Sequence, residues 1–336
     1  MFAKLEKLGE TILMNSVLVT GGAGFIGSHL VGHLLETGWN VTTIDNFDPF
    51  YAREDKLLNL SGYRARRNLR VLELDVRNYP ELIAHAAGRY DVIVHLAAKA
   101  GVRPSIADPG DYVETNVNGT QNMLSFARHC GAPQFVFASS SSVYGVNPRV
   151  PWSENDHVLM PISPYAATKV SGELLGHVYA QLFGIRFIAL RFFTVYGPRQ
   201  RPDLAIHRFA RMMTQGLPIP VFGDGSTRRD YTYVEEVVQG IAAAMKYDRT
   251  LFEIINLGSH RTVALTELIE TIEDALGVKA VLRHEPEQPG DVPQTYADVT
   301  KARALLGFEP RMPFPTGIEN FARWLRERDS LMAKVA

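Results

Sequence analysis

The sequence predicts an α/β protein, a doubly wound parallel sheet with a smaller interleaved α/β lobe. Short, near-continuous apolar runs alternate with longer periodic ones from the start of the chain, as strands covered by helices on both faces require. A glycine-rich turn joins the first apolar run to the first helical segment. Only after about Phe193 does the alternation loosen into stretches rich in Pro, Gly and Arg.

In chain order, "SVLVTGG" is a β-branched run into glycines, and "FIGSHLVGHLLETG" is an apolar-periodic segment closed by Gly38. Strands follow at "NVTTID", "LRVLELDV", "DVIVHLAA", "QFVFASS" and "RFIALRFF". Helical segments separate most of them, notably "DYVETNVNGTQNMLSFARHCG" and "YAATKVSGELLGHVYAQLFG". Right-handed crossovers between such strands give the doubly wound arrangement. Beyond Phe193, "YGPRQRPD" and "PIPVFGDGSTRRDY" read as loops lining a site. A late strand "FEIINLGS" and helices at "LTELIETIEDALG" and "GIENFARWLRERDSL" complete the chain, which shows no internal repeat.

The 336 residues are 46% hydrophobic and 21% charged, with a formal net charge of −1. That balance gives no electrostatic reason to expect nucleic acid or an anionic membrane. A single cysteine, Cys130, excludes an internal disulfide framework and a multi-cysteine metal site; it is expected to be structural. No metal is called for. No apolar run has the length of a membrane span. The leading "MFAKLEKLGETILMN" carries Lys4, Glu6, Lys7 and Glu10 where a secretory signal needs an apolar core. It reads as a loose extension, with Met14 an alternative start, and the expected compartment is the cytoplasm.

"VTGGAGFIGSHL" sets Gly21, Gly24 and Gly27 between the first strand and the first helix, with Phe25 and Ile26 at the helix start. Such glycines make the tight turn, let backbone approach a pyrophosphate, and let the helix pack on the strand. The helix N-terminus offers free N–H groups to phosphates. This is the context of a Rossmann dinucleotide site. Asp45, eighteen residues after Gly27 and followed by Asn46, ends the second strand. A carboxylate there accepts from the adenine ribose hydroxyls and repels a 2′-phosphate, and no Arg or Lys follows within five residues, so NAD is favoured over NADP. Asp75 and Val76, and Ala97, Ala98 and Lys99, end later strands on the same rim. Residues 14–192 and 232–262 are expected to form the NAD-binding domain, and 193–231 with 263–330 the second lobe.

"SPYAATKVSGE" puts Tyr165 and Lys169 four residues apart at a helix start, on one face a turn apart. A phenol with a pKa of about 10 is a poor base at neutral pH. A neighbouring ammonium, together with a nicotinamide's positive charge, favours the phenolate.

With the glycine loop, "SSVYG" and "YAATK" in this order and spacing, the chain resembles the extended short-chain dehydrogenase/reductases, specifically the nucleotide-sugar 4-epimerases, over residues 14 to 325. The resemblance implies that Tyr165 takes the proton of the sugar 4-hydroxyl while C4 gives hydride to NAD. The 4-keto sugar then turns and receives the hydride on its other face. It also implies that Ser140 holds the reacting oxygen and that Lys169 tunes Tyr165 and holds the nicotinamide ribose. Relatives that eliminate water carry an Asp–Glu pair before the Val-Tyr-Gly valine, and UDP-glucuronate decarboxylases a Glu. This chain has Ser141 and Ser142 there, and a hydroxyl is no general acid/base near neutral pH. Simple hydride return is left, with Ser139 structural and both later serines candidates for touching substrate.

"RFFTVYGPRQRPDLAIHRF" and "EQPGDVPQTYAD" look like the UDP-glucuronate 4-epimerase branch. There Thr194 and Arg201 are the implied readers of the C6 carboxylate, which suits the paired N–H donors of Arg. Arg229 and Asp291 match family positions near the UDP diphosphate and ribose, and Arg103 is a further candidate. Lys99 departs from the branch, which commonly has Gln. The alternatives are a UDP-glucose or UDP-N-acetylglucosamine 4-epimerase, a UDP-glucuronate decarboxylase, and a non-catalytic NAD-binding regulator. A homodimer paired through the two long helices is implied.

Overall fold

The structure, a computed structural model, describes residues 15–156, 160–286 and 292–333. Seven strands form the central sheet: β1 (Ser16–Thr20), β2 (Asn40–Asp45), β3 (Leu69–Glu73), β4 (Val92–His95), β5 (Gln134–Ser140), β6 (Arg186–Phe192) and β7 (Phe252–Leu257). Their order is β7-β6-β5-β4-β1-β2-β3, and every pairing is parallel. The direction of winding reverses between β1 and β4, which opens a crevice at their carboxyl ends, where ligands of such sheets bind.

The strands are apolar on both faces because helices cover both. Successive residues alternate between two cores: Val17, Val19, Val136 and Ala138 pack in one, and Leu18, Phe135 and Phe137 in the other. Across β5, β6 and β7 the rings of Phe135, Phe187 and Phe252 stack at 5.6 and 5.9 Å. The helix Pro164–Phe183 lies directly on this aromatic floor. A Cβ on Gly172 would stand 2.3 Å from the Phe137 ring, and one on Gly176 2.1 Å from the Phe187 ring, so only glycine allows so close an approach. The Ser163 hydroxyl caps this helix by accepting from Ala166 N at 3.1 Å, Pro164 starts it, and Gly184 at φ +67° ends it. Its first turn is thereby fixed at the carboxyl end of β5.

The predicted helix around "DYVETNVNG" is not uniform. Pro109–Tyr112 and Gly119–Cys130 are α-helical, and Val113–Asn118 between them is a π-helical turn. That widened turn carries Asn116, whose side chain takes the N–H and C=O of Lys99 at 2.8 and 2.9 Å and the Thr168 hydroxyl at 3.0 Å.

A third apolar cluster holds Tyr196, Ile206, Phe209, Ile219, Leu268 and Phe321, with three two-stranded ribbons around it: Thr194–Tyr196 with Tyr231–Tyr233, Ile219–Phe222 with Leu282–Glu285, and Arg228–Arg229 with Val263–Ala264. Val299, Ala302 and Phe308 pack instead with the first core. Among the described residues no helix is long and apolar enough to cross a membrane, and no cluster of His, Cys, Asp or Glu could hold a metal ion.

Candidate active site

A cleft of about 500 Å³ runs along the carboxyl ends of the strands. Gly21, Gly24, Phe25, Ile26 and Gly27 line it, as do Asp45, Asn46, Val76, Ala97, Ala98 and Lys99. Ser140, Ser141, Ser142, Tyr165, Lys169, Thr194 and Arg201 line the same cleft, so residues separated by most of the sequence share one wall. Asp75, Arg103 and Arg229 do not line it. Asp75 accepts from Asn46 Nδ2 at 2.9 Å and pairs with Arg77; the Arg103 guanidinium stacks on Phe222 at 5.0 Å; Arg229 Nη1 donates to the Arg228 carbonyl at 2.9 Å. Asp291 lies outside the described residues.

The glycine turn is built for close approach. Gly21 has φ +72° and donates to the Ile44 carbonyl at 2.7 Å, and a Cβ on Gly27 would stand 2.1 Å from the Gly21 oxygen. The Asp45 carboxylate accepts Ala23 N at 3.1 Å and Phe47 N at 2.8 Å, which locks the turn to the end of β2. Burial raises the Asp45 pKa, and the ammonium of Lys56, 3.8 Å away, opposes the rise. Lys56 also donates to the Asp48 carbonyl at 2.9 Å. Sequence proximity hid this cation, because it is eleven residues beyond Asp45 on the helix Arg53–Ser61.

These residues fit NAD. Each Asp45 oxygen keeps a lone pair beyond its backbone donor, available to a ribose hydroxyl. The Tyr51 hydroxyl is buried in the cleft with no hydrogen-bond partner among the described residues, 3.9 Å from where a Cβ on Gly24 would stand. An unanswered hydroxyl beside the glycine turn is what a dinucleotide's phosphate or ribose oxygen would satisfy. Lys99, the departure from the family pattern, is neutralised by Asp48 at 3.0 Å and Asp111 at 2.9 Å. Its charge is therefore paired with two carboxylates at the wall of the cleft.

At the other end of the cleft, Ser140 ends β5 and caps the short turn Ser141–Tyr144. Its Oγ accepts from Ser142 N at 3.1 Å and lies 3.2 Å from Ser142 Oγ. Burial raises the Tyr165 pKa, while the Ser140 hydroxyl and the Arg201 charge hold it down. Lys169 lies under the same helix turn, its Nζ donating to the Ala138 carbonyl at 2.7 Å and 5.9 Å from the centre of the Tyr165 ring. Burial lowers its pKa to about 7, with the Glu173 charge opposing. Arg201 adds to Lys169 a second cation near the phenol, one the Tyr165–Lys169 spacing did not announce.

Ser139 faces the opposite way and donates to Glu173, which takes both Arg191 Nε at 2.9 Å and Nη2 at 2.8 Å. Glu173 and Arg191 are both nearly fully buried. Sequence reading missed this buried pair, although Glu173 lies one turn beyond Lys169 in the spacing that linked Tyr165 to Lys169.

The chain is similar to known proteins over most of its length. Residues 17–258 match the NAD dependent epimerase/dehydratase family. An uncharacterised protein of Methanocaldococcus jannaschii is 42% identical over 95% of this chain and 99% of its own length. A UDP-glucuronate 4-epimerase of Thermodesulfobacterium geofontis is 37% identical over 96% and 99%. Among solved structures, the UDP-glucuronic acid 4-epimerase of Bacillus cereus in complex with UDP-glucuronic acid and NAD superposes with a TM-score of 0.87 at 36% identity, covering 93% of this chain and 99% of that one. The chain belongs to the NAD dependent epimerase/dehydratase family.

Proposed function

We propose that the protein is an NAD-dependent UDP-sugar 4-epimerase that interconverts UDP-glucuronate and UDP-galacturonate. The observation that carries this reading is the convergence of Ser140, Tyr165 and Lys169 with Thr194 and Arg201 in the cleft that also holds the glycine turn and Asp45. The relatives named for UDP-glucuronate 4-epimerisation, alike over nearly the whole chain, support it.

When bound, NAD supplies the hydride acceptor at C4 and returns the hydride to the same carbon. The chain's own groups do the rest. Tyr165 Oη takes the proton of the 4-hydroxyl, and Arg201 and Ser140 favour its ionised form. Ser140 Oγ holds the reacting oxygen, and Lys169, anchored on the Ala138 carbonyl, would hold the nicotinamide ribose. Reversal of the proton transfer after the 4-keto sugar turns completes the epimerisation. Ser141 and Ser142 offer no acid to expel water or assist loss of CO₂. Asp75, Arg103, Arg229 and Asp291 are assigned to ligand binding on the resemblance alone, and Thr194 with Arg201 to the C6 carboxylate.

The protein is further assigned to the cytoplasm as a homodimer. The exposed apolar side chains of Leu174, Val178, Leu182 and Phe183 on the helix Pro164–Phe183 support pairing through its outer face. A division into residues 14–192 with 232–262 and 193–231 with 263–330 has the third apolar cluster in its favour, while Val299, Ala302 and Phe308 of the second lobe pack with the first core. A side-by-side panel tests the substrate: UDP-glucuronate should be epimerised well ahead of UDP-glucose and UDP-N-acetylglucosamine. Preference for a neutral C6 group would refute the glucuronate assignment.

A further inference from the structure

Arg201 does not meet the cleft alone. Asp203, two residues on in the same loop, accepts Arg201 Nε at 3.0 Å and Nη2 at 2.8 Å, a two-point pairing along one edge of the guanidinium. Arg201 Nη1 has no hydrogen-bond partner among the described residues, and the Phe50 ring supports the guanidinium at 5.3 Å. The side chains are 18% and 31% exposed, so the pair is only partly screened by solvent. The Arg201 charge reaches both Tyr165 and Tyr112 across the cleft. The cation that shares the cleft wall with Ser140 and Tyr165 therefore carries its own carboxylate.

We propose that Asp203 is a specificity-determining residue, a built-in counter-ion that moderates the grip of Arg201 on the carboxylate of a uronate sugar. This rests on the reading of Arg201 as the C6 reader. Selection survives the pairing, because the Nη1 edge still offers N–H donors that a carboxylate matches and a hydroxymethyl group does not. The strength of the grip does not survive it in full, because a second carboxylate at the same guanidinium is repelled by the first. A moderated grip suits this chemistry. The sugar has to turn over between the two hydride steps, and a carboxylate held by an uncompensated guanidinium would resist that motion.

The test is direct binding of UDP-glucuronate and UDP-glucose to the full-length protein and to its Asp203→Asn and Asp203→Glu variants. Removing the counter-ion charge should tighten UDP-glucuronate binding roughly five- to tenfold. UDP-glucose affinity should stay within about twofold, because its C6 group is neutral. Asp203→Glu should return towards the parent ratio. Weaker UDP-glucuronate binding by Asp203→Asn would make Asp203 an orienting partner and overturn the proposal. An equal change for both sugars would make the pair structural and overturn it as well. Wild-type protein that binds UDP-glucuronate without epimerising it would count against the proposed function, while the ratio of affinities would still decide the role of Asp203.

Discussion

His95, at the carboxyl end of β4, should make the protein labile to acid. Its side chain is 1% exposed and lies between two threonines, with Nδ1 2.8 Å from Thr20 Oγ1 and Nε2 3.1 Å from Thr120 Oγ1. Thr120 gives its own proton to the Asn116 carbonyl at 2.6 Å, so it accepts from Nε2–H; Nδ1 then accepts from Thr20. In these roles a neutral imidazole is fully satisfied, and a cationic one would have to be buried as a charge. Burial, with the Lys169 charge second, lowers the His95 pKa from 6.5 to about 3. The native state thus refuses a proton that the unfolded chain accepts. The stability it contributes is complete above the unfolded pKa of 6.5 and drains as pH falls towards 3. Each pH unit in that window is worth about 1.4 kcal/mol, so about 2 kcal/mol is lost by about pH 5 and about 5 kcal/mol over the whole range. The assay is urea unfolding of the protein and of His95→Asn at about pH 8 and about pH 5. The variant starts less stable, yet its loss between the two pH values should be smaller by about 2 kcal/mol. His29, with a pKa lowered to about 4 mainly by burial, titrates in both proteins and cancels in the comparison. Equal losses would refute the assignment of His95 as a buried neutral group.

Glu173→Gln leaves the Arg191 guanidinium buried without its counter-charge and should cost about 3–5 kcal/mol of unfolding free energy in thermal or urea melts; Glu173→Gln with Arg191→Met should recover much of it. Gly176→Ala drives a methyl into the Phe187 ring and should destabilise by about 1–3 kcal/mol, with partial recovery when Phe187→Leu makes room. Tyr165→Phe should lower kcat by about 10²- to 10⁴-fold while NAD still co-purifies, read from steady-state turnover and the nucleotide absorbance of the isolated protein. Retained turnover would remove Tyr165 as the base.

What could be read in the sequence was what is local. The glycine turn, Asp45 at the next strand end, the serine-terminated β5 and the Tyr165–Lys169 spacing each sit within one strand–loop–helix unit, and the cleft unites them. The parallel sheet followed from apolar runs too continuous to leave one face in water. What escaped was what tertiary packing brings together. Lys56 meets Asp45 only because the helix Arg53–Ser61 folds back over the glycine turn, where Asn59 bonds the Ala23 carbonyl at 3.0 Å. Asn116 reaches Lys99 through a π-helical turn that no residue pattern announces. Ser139 looked like one more hydroxyl in a run, yet the alternation of β5 turns it away from Ser140 towards Glu173. Asp203 stood in the "RPD" segment beside Arg201, and only the geometry shows that its carboxylate is spent on the neighbour.

Removal and return of one hydride at C4, with the bond between C5 and C6 left intact, can be followed by proton NMR of UDP-glucuronate with the purified protein in D₂O. The expected product is UDP-galacturonate that keeps protium at C4, without any UDP-pentose. Deuterium at C4, or steady formation of UDP-xylose or a UDP-4-keto-pentose, would contradict it.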